Sequence, residues 1–410
     1  MMSYGEILKM SVEKTRRNMR EMGNEWREFP LKSCFDGRYF SDAQQPGRPL
    51  SHVFCWTQGF FAGMAGISYA ITKDESFLNW LRTGYDYFYN KVNRDSLETM
   101  HDLGFLYSPY SVFLYRQTGE TRMKELSVKA ADELIKRYVP NGHYIQAWGR
   151  MNNRTPDYVD EELAKDHFFT QSEGLAIIDC MMNLPLLFWA SRETGHPVYA
   201  NIAKEHIRTT MRHFIRGDGS VNHAYRFSVF DGAPVQPENY CGYATDSWWA
   251  RGTAWAIYGL AIAYDYTLEP EYFALAERLA LRFVEQVGED AVPVWDFRLP
   301  KETPAIASGN RSAFPWDASD PNNLTYNKDT SAAAIVVCAI QRMSKHGENA
   351  AFERYKRAAL ESLANRYFNP DKHVNGLLTH SNGRMEYTSY GDYFFMEALA
   401  HETHGLDTCW

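Results

Sequence analysis

The chain has little of what several function classes require. Its six cysteines, Cys34, Cys55, Cys180, Cys241, Cys338 and Cys409, are scattered, with no CxxC or other metal-ligand spacing among them. That pattern excludes a zinc site and a dense disulfide framework, and several of these cysteines fall inside helical patterns, as buried thiols do. Positive charge is in deficit, with a net charge of −8 and no lysine-rich tail, so no nucleic-acid partner is expected. The one basic cluster, Lys14, Arg16, Arg17 and Arg20, reads as a solvated face of an N-terminal helix. No apolar run is long enough to span a membrane. Residues 1–23 are charged and lack the apolar stretch of a secretory signal. A cytoplasmic chain is the expectation, and these features set no oligomeric state.

Strand patterns are scarce too. Helical periodicity predicts helices near 4–22, 57–71, 75–92, 104–117, 121–138, 171–194, 196–214, 248–267, 270–287, 328–345, 349–367 and 391–402. The connections between them alternate in length. Short ones stand at Thr72–Asp74, Thr118–Glu120, Gly195, Leu268–Glu269 and His346–Glu348, and each lies between two long ones. Short connections make antiparallel neighbours, so the helices pair into six hairpins, with the short turns at one end and the long loops at the other. Function usually lives on long loops held by a rigid scaffold.

The segments that follow long loops are apolar all round, as in IIDCMMNLPLLFWA, whereas 196–214 carries Lys204, Glu205, Arg208 and Arg212 on one face. The former belong inside and the latter outside. An open helical-repeat array has short connections at both ends and a fixed period; this chain has neither. The expectation is one all-α domain over 1–410, an (α/α)6 barrel whose long loops form the active end.

Aromatic residues are plentiful, at 15% of the chain. They suit either the half-buried rims of a large core or stacking platforms for sugar rings. On the helix expected at 171–194, Ser172, Ala176, Asp179 and Asn183 share one face. Thr170 and Glu173 form a capping box at its start, and Pro185 should kink it just beyond Asp179. A carboxylate on so apolar an element is costly unless it is paired or hydrogen-bonded. Asp102, in His101-Asp102-Leu103-Gly104-Phe105, is either an N-cap or a second carboxylate facing Asp179. In CGYATDSWWARGTAWAIYG, Thr245 or Asp246 can cap a helix on which Ser247, Arg251 and Trp255 share a face. Arg251 suits a carboxylate ligand through its planar fork, or else a buried partner, Asp102 or Asp179. His223, Trp56 and Trp148 sit on long loops, and Asp329 reads as a helix cap.

The HDLGF, IIDCMMNLPLLFWA, GYATDSWWARGTAWAIYG and KDTSAAAI segments, in that order, resemble the unsaturated glucuronyl hydrolases, glycoside hydrolase family 88. The resemblance runs from about Trp56 to YGDYFFMEAL. It implies an (α/α)6 barrel with no metal and no cofactor. Its substrate would be a small molecule, an oligosaccharide carrying a 4,5-unsaturated uronic acid left by a polysaccharide lyase. It implies Asp179 as the general acid/base that hydrates the C4=C5 double bond, and Asp102 as the second aspartate, against the sugar hydroxyls. His101, His223, Arg251, Trp56, Trp148 and Trp255 fall at binding positions. Cys241 and Thr253 depart from the pattern, each standing where glutamine is expected, and the stretch from Gly149 to Phe168 is longer than expected. The alternatives are another sugar enzyme on the same barrel, such as an unsaturated rhamnogalacturonyl hydrolase, a uronate lyase or an epimerase, and, behind these, a helical interaction scaffold.

Overall fold

The computed structural model describes residues 2–26, 37–39, 56–151, 172–299, 328–381 and 386–410. Helix α1 (Tyr4–Met22) opens with a capping box between Ser3 and Glu6. Its basic cluster is not the solvated face expected. Lys14 is buried and donates to the Asn369 and Gly376 carbonyls, and Arg16 pairs with Asp74. The long alkyl stems of these residues pack while their charged ends find partners.

The inner elements are α2 (Gln58–Thr72), α5 (Leu103–Tyr107) continued through a π-helical turn at Ser108–Val112 into α6 (Phe113–Thr118), α8 (Leu184–Thr194), α10 (Ala250–Thr267), α12 (Thr330–Met343) and α14 (Ser389–His404). Outside them lie α1, α3 (Glu75–Thr83) with α4 (Tyr85–Asn93), α7 (Thr121–Ile135), α9 (Val198–His213), α11 (Pro270–Gln286) and α13 (Ala350–Ser362). The helix expected at 75–92 is thus two, broken at Gly84, and Pro109 accompanies the wide turn in the element expected at 104–117. Every residue of α10 from Ala250 to Ala263 is buried, as is every residue of α12 from Thr330 to Gln341. Each inner helix packs on the next, and α14 returns to α2, which closes the ring. An open scaffold would leave those two ends apart. The result is an (α/α)6 barrel.

The short connections turn where expected. Lys73, Gly119, Gly195 and Leu268 all adopt left-handed backbone after an inner helix. That is how a helix stops while its last carbonyls stay hydrogen-bonded. The other end carries the few strands. β1 (Tyr138–Val139) pairs with β2 (Tyr144–Ile145), and β3 (Leu175–Ile177), β4 (Ala224–Phe227) and β5 (Pro234–Glu238) form an antiparallel sheet.

The largest departure from expectation is here. Residues 172–183 are not helical as a whole. Gly174 has φ +70°, and a Cβ there would meet the Phe227 carbonyl at 2.2 Å, so the chain turns onto β4, runs as β3, and makes a 3-10 turn at Ile178–Met182. Only then does α8 begin, with Pro185 in its first turn, where the missing N–H costs nothing. Pro185 therefore starts the helix rather than kinking it. Sheet pairing overrode the helical period, which a short apolar run carries ambiguously. The proposed cap at Thr170 and most of the 149–168 stretch lie outside the described residues.

Candidate active site

Four segments converge over a small apolar platform of Met100, Ala147, Trp148, Leu175, Ile177 and Ala224. These segments lead, respectively, into His101 and Asp102, into Trp148, into Asp179 and out of His223. The platform is sequence-distant but continuous, so it sets the mutual positions of the functional side chains.

Asp102 stands at the start of α5 but makes no side-chain cap bond. Its carboxyl turns instead to His101 Nε2, at 3.3 Å, and Asn183 Nδ2, at 3.5 Å. Asn183 is a joint between the two acids. Its Oδ1 accepts from Phe105 N at 2.8 Å, and its Nδ2 also reaches the Asp179 carbonyl at 3.3 Å. Gly104 permits this approach, since a Cβ there would lie 2.3 Å from Asn183 Cα. Burial and then the neighbouring Asp179 push the Asp102 carboxyl up to about 8, against Asn183 and Arg137, which lower it.

Asp179 lies on the 3-10 turn. Its side chain keeps 14% exposure, yet Oδ2 is wholly shielded and has no hydrogen-bond partner among the described residues; His223 Nε2 is 3.7 Å away. Burial raises this carboxyl to about 6, although Arg251 and the Trp255 indole pull it down. His223 Nδ1 accepts from the Tyr240 and Cys241 backbone N–H groups, at 2.9 and 3.3 Å. A nitrogen that accepts carries no proton, so the ring holds its proton on Nε2, facing Asp179, and is neutral.

His223 therefore adds no positive charge beside Arg251. Arg251 is buried, and its Nη1 bonds Asp329 Oδ2 at 2.6 Å. The partner is neither Asp102 nor Asp179. Asp329 does cap α12, accepting from Ala332 N, and holds Arg251 as well. The guanidinium lies over the Trp249 and Tyr390 rings at 4.7 and 5.2 Å, which fixes its plane. Cys241 is half-buried beside it.

The tryptophans divide. Trp56 is half-buried and stacks on Tyr390 at 4.9 Å. Trp148 meets Tyr240 edge-on at 4.9 Å and is 6% exposed. Trp255 is fully buried against Phe105 and Phe394, so it lines the base below Asp179 rather than offering a face to a sugar. Thr253 is buried and bonded to the Trp248 indole, away from the site. Neither Thr245 nor Asp246 caps α10, whose first flanking residue is Trp249. Shared neighbours link these candidates: Trp148 to His223 through Tyr240, Trp56 to Arg251 through Tyr390, and Trp255 to Trp56 through Phe105. Asn183 carried a signal in the polar stripe; Trp249, Tyr240 and Tyr390 are ordinary aromatics in sequence, and only packing gives them a place here.

In the folded state Asp102 and Asp179 hold protons that the unfolded chain releases near pH 4. At these two groups the native state therefore binds more protons between about pH 4 and about pH 8, a contribution to stability that falls as pH rises, whereas the buried His101 and His206, held below the usual histidine range, contribute in the opposite sense below about pH 6.5. Above the histidine range, from about pH 6.5 to about pH 8, the urea midpoint is expected to decline in the parent and more shallowly in Asp102→Asn. Equal slopes would show that the Asp102 carboxyl titrates normally.

A buried carboxylate pair with an arginine and a ring of aromatics suits an acidic sugar, and comparison with known proteins agrees. Residues 35–286 match the model of Glycosyl Hydrolase Family 88. The chain is 31% identical over 385 residues to the unsaturated chondroitin disaccharide hydrolase of Streptococcus pneumoniae (strain ATCC BAA-255 / R6), covering 91% of this chain and 85% of that one. The crystal structure of the unsaturated glucuronyl hydrolase responsible for the degradation of glycosaminoglycan, from Bacillus sp. GL1, superposes with a TM-score of 0.82 at 26% identity, over 100% of this chain and 99% of that one. A Streptococcus agalactiae unsaturated glucuronyl hydrolase mutant complexed with dGlcA-GalNAc6S gives 0.75 at 25% identity, over 99% and 93%. A match over most of the chain in sequence and over all of it in fold leaves one assignment: this protein belongs to glycosyl hydrolase family 88, and it is a glycosidase.

Proposed function

We propose that the enzyme removes a 4,5-unsaturated uronic acid from the non-reducing end of lyase-generated oligosaccharides, with Asp179 as its general acid and base. One observation carries the reading. Asp179 is buried above Trp255, its carboxyl raised by burial to about 6, with Oδ2 shielded, 3.7 Å from His223 Nε2 and without a hydrogen-bond partner among the described residues. A proton donor of that strength suits a vinyl ether, whose C4 is the basic carbon.

The steps follow from that placement. Asp179 gives its proton to C4, the π electrons form the new C–H bond, and positive charge develops on C5 and the ring oxygen. The Asp179 carboxylate then takes a proton from water as the water oxygen bonds C5. The resulting hemiketal opens to a C5 ketone; the freed C1 hemiacetal releases the remaining sugar as an alcohol. Water is consumed and no other reactant is needed. Asp102, held neutral to about pH 8, donates to or accepts from sugar hydroxyls. Arg251 meets the uronate carboxylate from its aromatic clamp, and Trp56 and Trp148 border the sugar rings. The rule that links carboxylate spacing to retention or inversion does not apply, because the glycosidic carbon is not attacked.

Because the acid form starts the reaction, kcat/KM is expected to fall as pH rises through about 6. The decisive assay uses unsaturated disaccharides from chondroitin, hyaluronan, heparin and gellan. Hydration abolishes the ultraviolet absorbance of the conjugated double bond, which a lyase or an epimerase would leave or increase. Persistence of that absorbance across the panel would sink the reading. Relatives that bear the name chondroitin disaccharide hydrolase make chondroitin disaccharides the first to test. We also place the enzyme in a reducing cytoplasm, in keeping with Cys180, Cys338 and Cys409, which are buried thiols outside any disulfide.

A further inference from the structure

Beneath the site lies a buried cation that no step above employs. Arg137, at the end of α7, is 4% exposed. Its Nε donates to the Gln146 carbonyl at 2.9 Å and its Nη1 to Thr99 at 2.8 Å, while Nη2 reaches Trp148 at 2.9 Å and Gly149 at 2.8 Å. Among the described residues it forms no ion pair. With Ala147 O also within 3.4 Å of Nη2, a planar fork spread over five carbonyls is a clamp on backbone. Thr99 leads into His101 and Asp102, and Trp148 is a bordering ring of the site. The strip 146–149 is also tied through its backbone, Gln146 N donating to the Arg137 carbonyl at 2.9 Å. His101 N donates to the Ala147 carbonyl at 3.0 Å, and Ala147 N to the Leu175 carbonyl at 2.8 Å, on the strand that runs into Asp179. The charge acts as well. Arg137 opposes the upward push on Asp102, and Asp102 in turn favours the charged form of Arg137. The other titratable groups around Asp102 are Asp179, Cys180 and His101, with His206 and His223 beyond His101.

We propose that Arg137 is a positioning residue of the reaction. Without touching the sugar, it holds the Trp148 strip and the Asp102 segment at a fixed spacing and keeps a fixed positive charge behind them. This rests on the reading of Asp102 and Asp179 as the working pair. The test measures kcat and KM against pH for Arg137→Lys, which keeps the charge, and Arg137→Gln, which keeps donors but no charge. Asp179→Asn serves as reference, and thermal unfolding checks folding. Both Arg137 variants are expected to raise KM about tenfold, as small misplacements do. Arg137→Gln alone is expected to move the limb that follows Asp102, the rise of KM near pH 8, upward by about half to one unit, and to leave the Asp179 limb near pH 6 in place. A folded Arg137→Gln with the parental profile overturns the proposal, since a purely structural anchor would leave titration unmoved. If Arg137→Gln does not fold, Arg137→Lys decides: a raised KM supports the clamp and a parental KM overturns it. Parental kcat in Asp179→Asn would bring down the underlying reading and this proposal together. An inactive Asp179→Asn beside parental Arg137 variants would remove only the role of Arg137.

Discussion

Asp179→Asn is expected to stay folded and to lose roughly 10²–10⁴-fold in kcat on an unsaturated disaccharide, the span typical of a removed general acid/base. The substitution is nearly isosteric. The site already disfavours the anion, because burial outweighs the lowering by Arg251 and Trp255, so a neutral amide adds no new penalty to the fold. Chemistry is where the loss should appear. An amide cannot give C4 a proton, nor take one from the attacking water, so both half-steps fail at one residue. Kinetics on the purified variant, with circular dichroism to confirm folding, decide the matter. A folded variant with near-parental kcat would return Asp179 to a purely structural role.

Arg251→Ala is expected to do two things at once. A surface arginine would change binding alone, but Arg251 is buried against Asp329. Removing it strands a buried carboxylate, and breaking one side of such a pair costs roughly 3–5 kcal/mol of stability. Binding of the charged sugar should weaken as well, since the uronate loses its cation. The two effects separate in a double-mutant cycle. Asp329→Asn combined with Arg251→Ala removes the stranded charge and should recover part of the stability but none of the affinity for the uronate. Denaturant unfolding and KM, measured on both single variants and the double, provide the check. Additive losses in stability would show that the Arg251–Asp329 contact is worth nothing. Parental KM in Arg251→Ala would remove Arg251 from carboxylate binding.

The helical hairpins were legible because their signals are local. Short turns ending in Gly119 and Gly195, apolar inner helices and amphipathic outer ones all follow from residues close together in the chain. The alternation of short and long connections then placed the candidate site at one end. The region before Asp179 misled for the same reason. GLAIID reads as part of one long helix until β4 pairs with it, and β4 lies far along the sequence. The choice left open for Asp102, cap or second carboxylate, was likewise beyond the local sequence, because Asn183 reaches its carboxyl from a distant segment.

By itself, then, the sequence determined the all-α class and the inner and outer division, since periodicity and composition are properties of neighbours in the chain, while the acid–base chemistry on an acidic sugar came from the resemblance of its motifs to family 88. Only the tertiary structure decided that Asp329 is the partner of Arg251, that the His223 proton sits on Nε2, that Trp255 is floor rather than platform, and that Arg137 clamps the segments together. Each of these depends on a hydrogen bond, an ion pair or a buried face shared between distant segments. Such contacts exist only once the ring has closed.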